Sequence, residues 1–498
     1  MKDLAKHFQF FRKNIIGTDT TFHTHFGKKK ILYADWTASG RLYQPIEEKL
    51  LYQFGPFVAN THTETNVTGK SMTLAYQEAK NIIKQHVHAS DNDVLFFEGT
   101  GMTGALHKIQ RILGLTLHEK YKSMQEINDL KKPVVFITHM EHHSNQTTWE
   151  ETIADVVVVP PNSHGEVSPV MLEKMIKKFE DRPLKIGSFT ACSNVTGIHT
   201  PYQQLAEVMH QYGGICFVDF SASAPYINID MHPDNPMESL DGIFFSPHKF
   251  LGGPGTMGVA ILSKKLYTNK IPDRPGGGTV NWTNPWGGKT YINDIEVRED
   301  GGTPGFLQAI KTALAIRLKE EMVSEYIVEH DKKLVRIMFE RFKKNKQIIL
   351  LDGNNQNRLP IVSFYVEGIH HQLIVKLLND IYGIQVRGGC SCAGTYGHYL
   401  LDIEKKQSKV ITDEIDNGNH FVKPGWIRVS LHPTMTEKEV LFIADGICDV
   451  VDKIDQYKDH YRYCPNSNDY QHNNEPIIGI ESWFNLNNKE SSHEVLIS

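Results

Sequence analysis

Cysteine is scarce in this chain: six thiols in 498 residues, at 192, 216, 390, 392, 448 and 464. They are too few and too scattered to form a disulfide framework, which points to a reducing compartment. Positive charge is not in excess either. The 53 basic residues fall short of the 58 acidic ones, leaving a net charge of −5, and this argues against an electrostatic footprint for nucleic acid. No apolar run has the length of a membrane span, and Met1–Lys6 lacks the apolar centre of a signal peptide. Internal repeats are absent. The expectation is a cytoplasmic chain with no nucleic-acid or membrane partner, long enough for two or three domains.

What the chain does have is alternation. Strand-like runs lie at Val94–Glu98, Pro133–Thr138, Ala154–Val159, Leu184–Phe189, Ile215–Asp219, Gly242–Phe245 and Thr256–Leu262. Helical patterns such as Val170–Phe179 and Gln203–Tyr212 separate most of them. This predicts an α/β domain on a seven-stranded, mostly parallel sheet. The Gly-, Pro- and Trp-rich stretch Ile271–Thr303 reads as a long irregular segment, and Gly305–Glu329 as a helix leaving it. Beyond, strands at Ile361–Val366, Ile384–Arg387 and Trp426–Leu431 with helices near His371–Ile381 and Glu437–Lys453 predict a smaller α+β domain. Lys405–Lys423 reads as an inserted polar loop, and the chain after Tyr461 as a loosely ordered tail. The expected division is an arm over 1–28, a large α/β domain over 29–305, a small α+β domain over 306–460 and a polar tail over 461–498.

In a mostly parallel sheet, ligands bind outside the carboxyl ends of the strands. Two charged residues stand at such ends. Asp219 closes Gly214–Asp219, and Lys249 follows Gly242–Phe245 in Ser246-Pro247-His248-Lys249, ahead of the Gly252–Thr256 turn. Taken alone, a lysine there is more often solvated at the rim. Asp and Lys on adjacent strand ends suit pyridoxal 5′-phosphate, with the lysine forming the Schiff base and the carboxylate keeping the pyridine nitrogen protonated.

The remaining motifs are weaker one by one. Phe97–Gly104 follows a strand and opens a helix, so its Thr100 and Gly101 suit an anion at a helix N-terminus, or a plain capped turn. His139–Asn145 holds histidines and a glutamate at a strand end but no complete metal-ligand set; His142 stacked on a cofactor ring fits better. Ser193–Gly197, with Asn194, is a turn or a contact to the ring oxygen. Arg387–Gly394 carries Cys390 and Cys392 in a glycine-rich loop, read as a thiol nucleophile helped by Arg387 or His398. Arg428, inside an apolar strand, suits a substrate carboxylate.

Taken in order, Tyr33–Asp35, Gly99-Thr100, Glu141–Asn145, Ser193–Gly197, Val218-Asp219, Ser246–Lys249, Gly302–Pro304, Arg387-x-Gly389, Cys392-Ala393 and Arg428 resemble the class V aminotransferase-fold family over roughly residues 30–450. Within it they resemble the cysteine desulfurase and selenocysteine lyase group. The resemblance implies a type I pyridoxal phosphate transferase fold and a homodimer acting on a small amino acid. It implies Lys249 as the Schiff-base residue, Asp219 at the ring nitrogen, His142 on the ring face and Asn194 at the ring oxygen. Thr100, Gly101, Ser246 and His248 would hold the phosphate, with Thr303 reaching in from a second subunit. Arg428 and Arg387 would bind the substrate carboxylate. Cys392 would take sulfur from L-cysteine, leaving alanine and a persulfide for a sulfur-acceptor protein. Two departures stand out: Ala222 replaces a usual glutamine, and Cys390-Ser391 replace usual histidines. An aminotransferase or lyase acting on another amino acid, and a non-catalytic sulfur-relay partner, are the alternative readings.

Overall fold

The computed structural model describes residues 3–61, 63–122, 131–474, 480–486 and 494–495. The chain divides into two compact units. The larger comprises Ser39–Ser193 and His199–Glu325, the smaller Met1–Ala38, Asn194–Ile198 and Tyr326–Ser498. Among the described residues no helix is long and apolar enough to cross a membrane.

The larger unit is built on seven strands: β1 (Asp93–Glu98), β2 (Val134–Thr138), β3 (Asp155–Val159), β4 (Lys185–Thr190), β5 (Ile215–Asp219), β6 (Gly242–Phe245) and β7 (Gly258–Ser263). Their order across the sheet is β1-β7-β6-β5-β4-β2-β3. Five neighbours, β3, β2, β4, β5 and β6, run parallel, and β7 runs antiparallel to both β6 and β1. All seven expected strands are present. They read as continuous apolar runs rather than alternating ones because the sheet is covered on both faces; every residue of β1, β2, β4 and β6 is buried. Val94, Phe96, Ile137, Phe217 and Phe244 share a core with Ala105, Leu106 and Ile109 of the helix Met102–Ile112. In register, Thr190 of β4 pairs with Asp219 of β5, and Asp219 with Phe244 of β6. The parallel strands therefore deliver their last residues to one edge.

The smaller unit holds an antiparallel sheet of β8 (Ile348–Leu350), β9 (Ile361–Val366), β10 (Arg387–Gly389) and β11 (Trp426–Ser430), in the order β8-β9-β11-β10. The helix Glu437–Asp452 starts at a capping box in which Thr436 and Glu439 satisfy each other's backbone.

Several expectations change. Ile384–Arg387 is two strands: Ile384–Gln385 pairs with Leu32–Tyr33, while Arg387 begins β10. One apolar run serves two partners. The helix expected over 305–329 ends at Met322, because Val323 turns left-handed at φ 63°, and a second helix runs Ser324–Phe342. The stretch 405–423 is not a loop: Lys405–Asp416 is a helix with no buried residue, supported by a Lys409–Asp413 pair one turn apart. Its apolar inward face is only Ile411 and Ile415, one turn apart and half-buried, too short a stripe to signal a packed helix. The irregular segment 271–303 contains a hairpin, Val280–Thr283 with Lys289–Tyr291. In the tail, Tyr461–Cys464 and Asp469–His472 form a hairpin too, and the Tyr461 hydroxyl donates to buried Asp380 at 2.9 Å. Burial of that ring, and of His472 stacked on His25 with centroids 4.1 Å apart, gives a polar stretch its anchors.

Candidate functional site

In the larger unit the chain leaves β6 into a single 3-10 turn, Pro247–Lys249, with Pro247 at the helical start where its missing N–H costs nothing. Two glycines clamp that turn. The Gly40 N–H donates to the His248 carbonyl at 2.9 Å. A Cβ on Gly40 would stand 1.9 Å from the Phe250 carbonyl oxygen, and one on Gly253 1.9 Å from that of Pro247. Lys249, half-buried, is thereby fixed in place by backbone that approaches too closely for any side chain.

Asp219 ends β5 and is 4% exposed. Its Oδ1 accepts from the Ser221 N–H at 2.8 Å. Burial raises its pKa, while the Ser221 hydrogen bonds and the charge of Lys249 pull it back. A carboxylate so enclosed is stabilised by a cationic N–H partner, which a protonated pyridine provides.

Next to it is an anion cradle. Gly99 turns the chain at φ 58°, and Gly101 begins the helix Met102–Ile112 without a side-chain cap. A Cβ on Gly101 would lie 3.2 Å from Ser246 Oγ and 3.6 Å from the His248 ring, so only glycine leaves this space open. The Met102 N–H donates to Ser246 Oγ at 2.8 Å, and that hydroxyl lies 3.4 Å from Ser221 Oγ. Burial first, then the charge of Lys249, lower the His248 pKa to about 4, so its imidazole is neutral near pH 7. Thr100 is exposed beside the cradle. Uncapped helix amides, a hydroxyl and a neutral imidazole fit a phosphate. Together with Asp219 and Lys249, these residues fit pyridoxal phosphate.

His142 caps the helix His143–Glu150; its Nδ1 accepts from the Ser144 N–H at 3.1 Å, which leaves the ring proton on Nε2. Ser144 Oγ lies 2.7 Å from Thr103 Oγ1, joining this helix to the cradle helix. Beneath sits Glu141, 1% exposed. Its Oε1 accepts from Thr138 N at 3.2 Å, Thr138 Oγ1 at 2.7 Å and Thr190 N at 2.9 Å, and its Oε2 from Asn145 Nδ2 at 2.7 Å. Asn145 Oδ1 in turn accepts from Ser188 Oγ at 2.6 Å. This network ties the ends of β2 and β4. Burial pushes Glu141 up to about 7 against those donors. Sequence reasoning weighed Glu141 only for metal binding and missed its bracing role, because the tie to β4 comes from Thr190, 49 positions on.

In the smaller unit, Arg428 on β11 is 3% exposed. Its Nη2 donates to Asp35 Oδ1 at 2.7 Å, and Arg387 Nε donates to Asp35 Oδ2 at 3.0 Å. Arg428 Nη1 reaches the Asn194 carbonyl at 3.2 Å, whereas its buried Nε has no hydrogen-bond partner among the described residues. One carboxylate thus holds two guanidinium groups and leaves an N–H of the deeper one available to a ligand carboxylate. Asp35 entered the sequence reading only as part of a motif; nothing local marks it as the counter-charge of residues 352 and 393 positions away.

The cysteine loop is a tight turn. Ser391 and Cys392 have φ of 51° and 56°, and the Ala393 N–H closes on the Cys390 carbonyl at 3.0 Å. Two left-handed residues inside one such bond define a type I′ turn. Neither is glycine or asparagine, so each costs on the order of 1–2 kcal/mol. Asn194 Nδ2 donates to the Ser391 carbonyl at 2.8 Å and holds the turn. The amide expected at a ring oxygen thus also braces the cysteine turn. Cys392 is exposed and Cys390 half-buried. The two groups expected to assist the thiols are engaged elsewhere: Arg387 on Asp35, and His398 on the Gly394 carbonyl and Ser408 Oγ, both at 2.8 Å. Thr303 is exposed in the larger unit.

The chain matches the family model described as aminotransferase class-V over residues 32–442. It is 27% identical over 368 residues to a probable cysteine desulfurase of Halalkalibacterium halodurans, covering 73% of this chain and 84% of that protein. Over 373 residues it is 25% identical to a probable cysteine desulfurase of Halobacterium salinarum, covering 74% and 83%. Among solved structures, the apo cysteine desulfurase of Thermococcus onnurineus superposes with a TM-score of 0.70 at 22% identity, covering 89% of this chain and 98% of that one. A cysteine desulfurase of Escherichia coli, in its S-sulfonic acid form, gives 0.66 at 19% identity, covering 91% and 99%. At those identities the structural likeness speaks for the fold.

Proposed function

The chain belongs to the aminotransferase class-V family of pyridoxal phosphate-dependent enzymes, and from that premise we propose that it is a cysteine desulfurase, taking sulfur from L-cysteine onto Cys392 and releasing L-alanine. The observation that carries the choice within the family is the exposed Cys392 on its held, strained turn. Such a position suits a thiol that accepts sulfur and passes it on. Core packing would have buried it.

When bound, the cofactor supplies an electron sink for the substrate α-carbon. Lys249 is the residue that would hold it covalently, and its amine would move the Cα proton. Asp219 would keep the ring nitrogen protonated by serving as its charge partner. His142 covers the ring face. Gly101, Thr100, Ser246 and His248 hold the phosphate, and Thr303 serves the same group in a second copy of a homodimer. Arg428, kept in place by Asp35, orients the substrate carboxylate through its remaining N–H, with Arg387 beside it. Asn194 positions the cysteine turn. The Cys392 thiolate attacks the substrate sulfur, and a sulfur-acceptor protein or thiol takes the product.

Incubating the purified protein with L-cysteine and cofactor tests this directly. The expected result is alanine in step with a persulfide on the Cys392 peptide, both abolished in Cys392→Ser. Amino-group exchange with a keto acid, with Cys392 unmodified, would move the assignment to a transaminase.

A further inference from the structure

Cys390 is left without a role by the reading above. The family pattern asks for one thiol at this loop, and the chain places two in a single turn. They occupy the first and third positions of the type I′ turn, with only Ser391 between them. A residue in the left-handed helical conformation brings its flanking Cα atoms to about 5.5 Å, by the mirror image of ordinary helix dimensions. That lies inside the Cα separations disulfides span. The turn is held there from outside as well as by its own closing bond: Asn194 Nδ2 grips the Ser391 carbonyl at 2.8 Å. The exposures differ in a useful sense. Cys392, at the tip, is open to solvent; Cys390, one side in, is half-buried.

We infer that Cys390 is a resolving thiol: it attacks the persulfide carried by Cys392, closes a Cys390–Cys392 disulfide and releases hydrosulfide. This rests on Cys392 carrying sulfur as proposed above. In the step, the Cys390 thiolate, its proton given to water, attacks Sγ of Cys392. The Sγ–Sγ bond forms and the bond from Cys392 Sγ to the terminal sulfur breaks. The electron pair leaves on that sulfur, which departs as hydrosulfide with the persulfide proton. The terminal sulfur is reduced by two electrons, and the two cysteine sulfurs are oxidised to the disulfide. No external oxidant is required. An external thiol reductant then returns the pair to the dithiol state.

The left-handed turn gives the closed state a distinct character. A ring spanning one intervening residue is tight, and a strained, exposed disulfide is an easily reduced one. The pair therefore suits a reversible release valve: where an acceptor takes the Cys392 sulfur quickly, the persulfide is passed on. Where none is present, Cys390 discharges it as sulfide and closes the turn against a second loading until a thiol reopens it.

The test loads sulfur without relying on the cofactor chemistry. Reduced wild-type protein, Cys390→Ser and Cys390→Ala are treated with inorganic polysulfide, desalted and analysed by peptide mass spectrometry without reductant, with sulfide measured alongside. The expected wild-type product is the Cys390–Cys392 disulfide, two hydrogens lighter than the dithiol. Both variants should instead keep one added sulfur on Cys392 and release sulfide about tenfold more slowly. A wild-type protein that keeps the Cys392 persulfide as long as the variants do overturns the resolving role. A parallel arm with L-cysteine and cofactor separates the two claims. Disulfide after polysulfide but no modification after L-cysteine would sink the desulfurase reading and leave the resolving pair standing. Persulfide after both treatments, with no disulfide, would do the reverse.

Discussion

The two units hold their reactive groups in opposite ways. In the larger one, Asp219 and Glu141 are buried at strand ends, and Lys249 rides on a turn that two glycines clamp. Each carboxylate meets fixed backbone and hydroxyl donors. In the smaller one, Cys392 sits exposed on a turn of left-handed, non-glycine residues. On the proposed function, the groups that would surround a bound ring stand on closely packed backbone, and the thiol that would meet other molecules stands where the local conformation costs free energy and solvent reaches it. The difference is between preorganisation and access.

The largest expected effect comes from the clamped turn. Lys249→Ala should remove covalent cofactor, read as loss of the visible absorbance band and of borohydride-fixed label, and lower turnover by about 10²–10⁴-fold. Asp219→Asn should follow with a smaller loss and an unchanged fold by circular dichroism. Label fixed on another lysine would end the assignment of the larger unit as the cofactor half.

Next is the buried charge cluster of the smaller unit. Asp35→Asn removes the carboxylate shared by Arg428 and Arg387, and stranding a buried guanidinium costs about 3–5 kcal/mol. A urea midpoint that falls accordingly, with a raised KM for the amino acid, is the expected pair of results. An unchanged midpoint would mean that the arginines do not depend on Asp35.

The contrast also has a pH signature. His371 and His432 in the smaller unit are buried, and burial lowers each to about 3. Between the ordinary value of 6.5 and 3 the unfolded chain binds protons that the fold excludes, so stability falls as pH drops through that window. Glu141 in the larger unit runs the other way. Its folded value of about 7 lies above 4.5, so the fold holds a proton that the unfolded chain has released, and stability falls as pH rises from 4.5 to 7. Buried His139, lowered to about 4, adds an acid-sensitive group beside Glu141. Hydrogen exchange, corrected for its intrinsic pH dependence, should show the 371 and 432 peptides loosening in acid only and the 138–149 peptides loosening both in acid and as pH rises toward 7. No loosening of 138–149 toward neutrality would remove the Glu141 contribution.

The smallest effect is expected at the surface helix Lys405–Asp416. Ser408→Ala removes one hydrogen bond to His398, worth about 0.5–1 kcal/mol, and should speed exchange only around 394–416. A larger drop in global stability would show that the helix holds more than its own neighbourhood.

Much of the larger unit was readable in advance. Its strands are apolar runs bounded by turn residues, and Lys249, Asp219 and the Gly99–Gly101 turn each lie next to such a run, so position along the chain was enough to bring them to one sheet edge. The smaller unit was harder. Ile384–Arg387 looks like one strand but serves two sheets, and Lys405–Asp416 is a helix with too short an apolar stripe to reveal it. The tail hairpin is anchored by the Tyr461–Asp380 hydrogen bond and by ring contacts of His472 with His25 and of Tyr463 and Tyr470 with His370, which no local pattern announces.

The sequence by itself singled out candidate residues for chemistry and determined how the central sheet is built, because side-chain period and turn chemistry are local properties of the chain. Only the tertiary structure decided which groups answer one another: Asp35 with Arg428 and Arg387, Glu141 with Thr190, Asn194 with the Ser391 carbonyl. Those are pairings of charge and hydrogen bonds between distant segments. A buried donor or acceptor takes whatever partner the packing brings within about 3 Å, and distance along the chain carries no information about that.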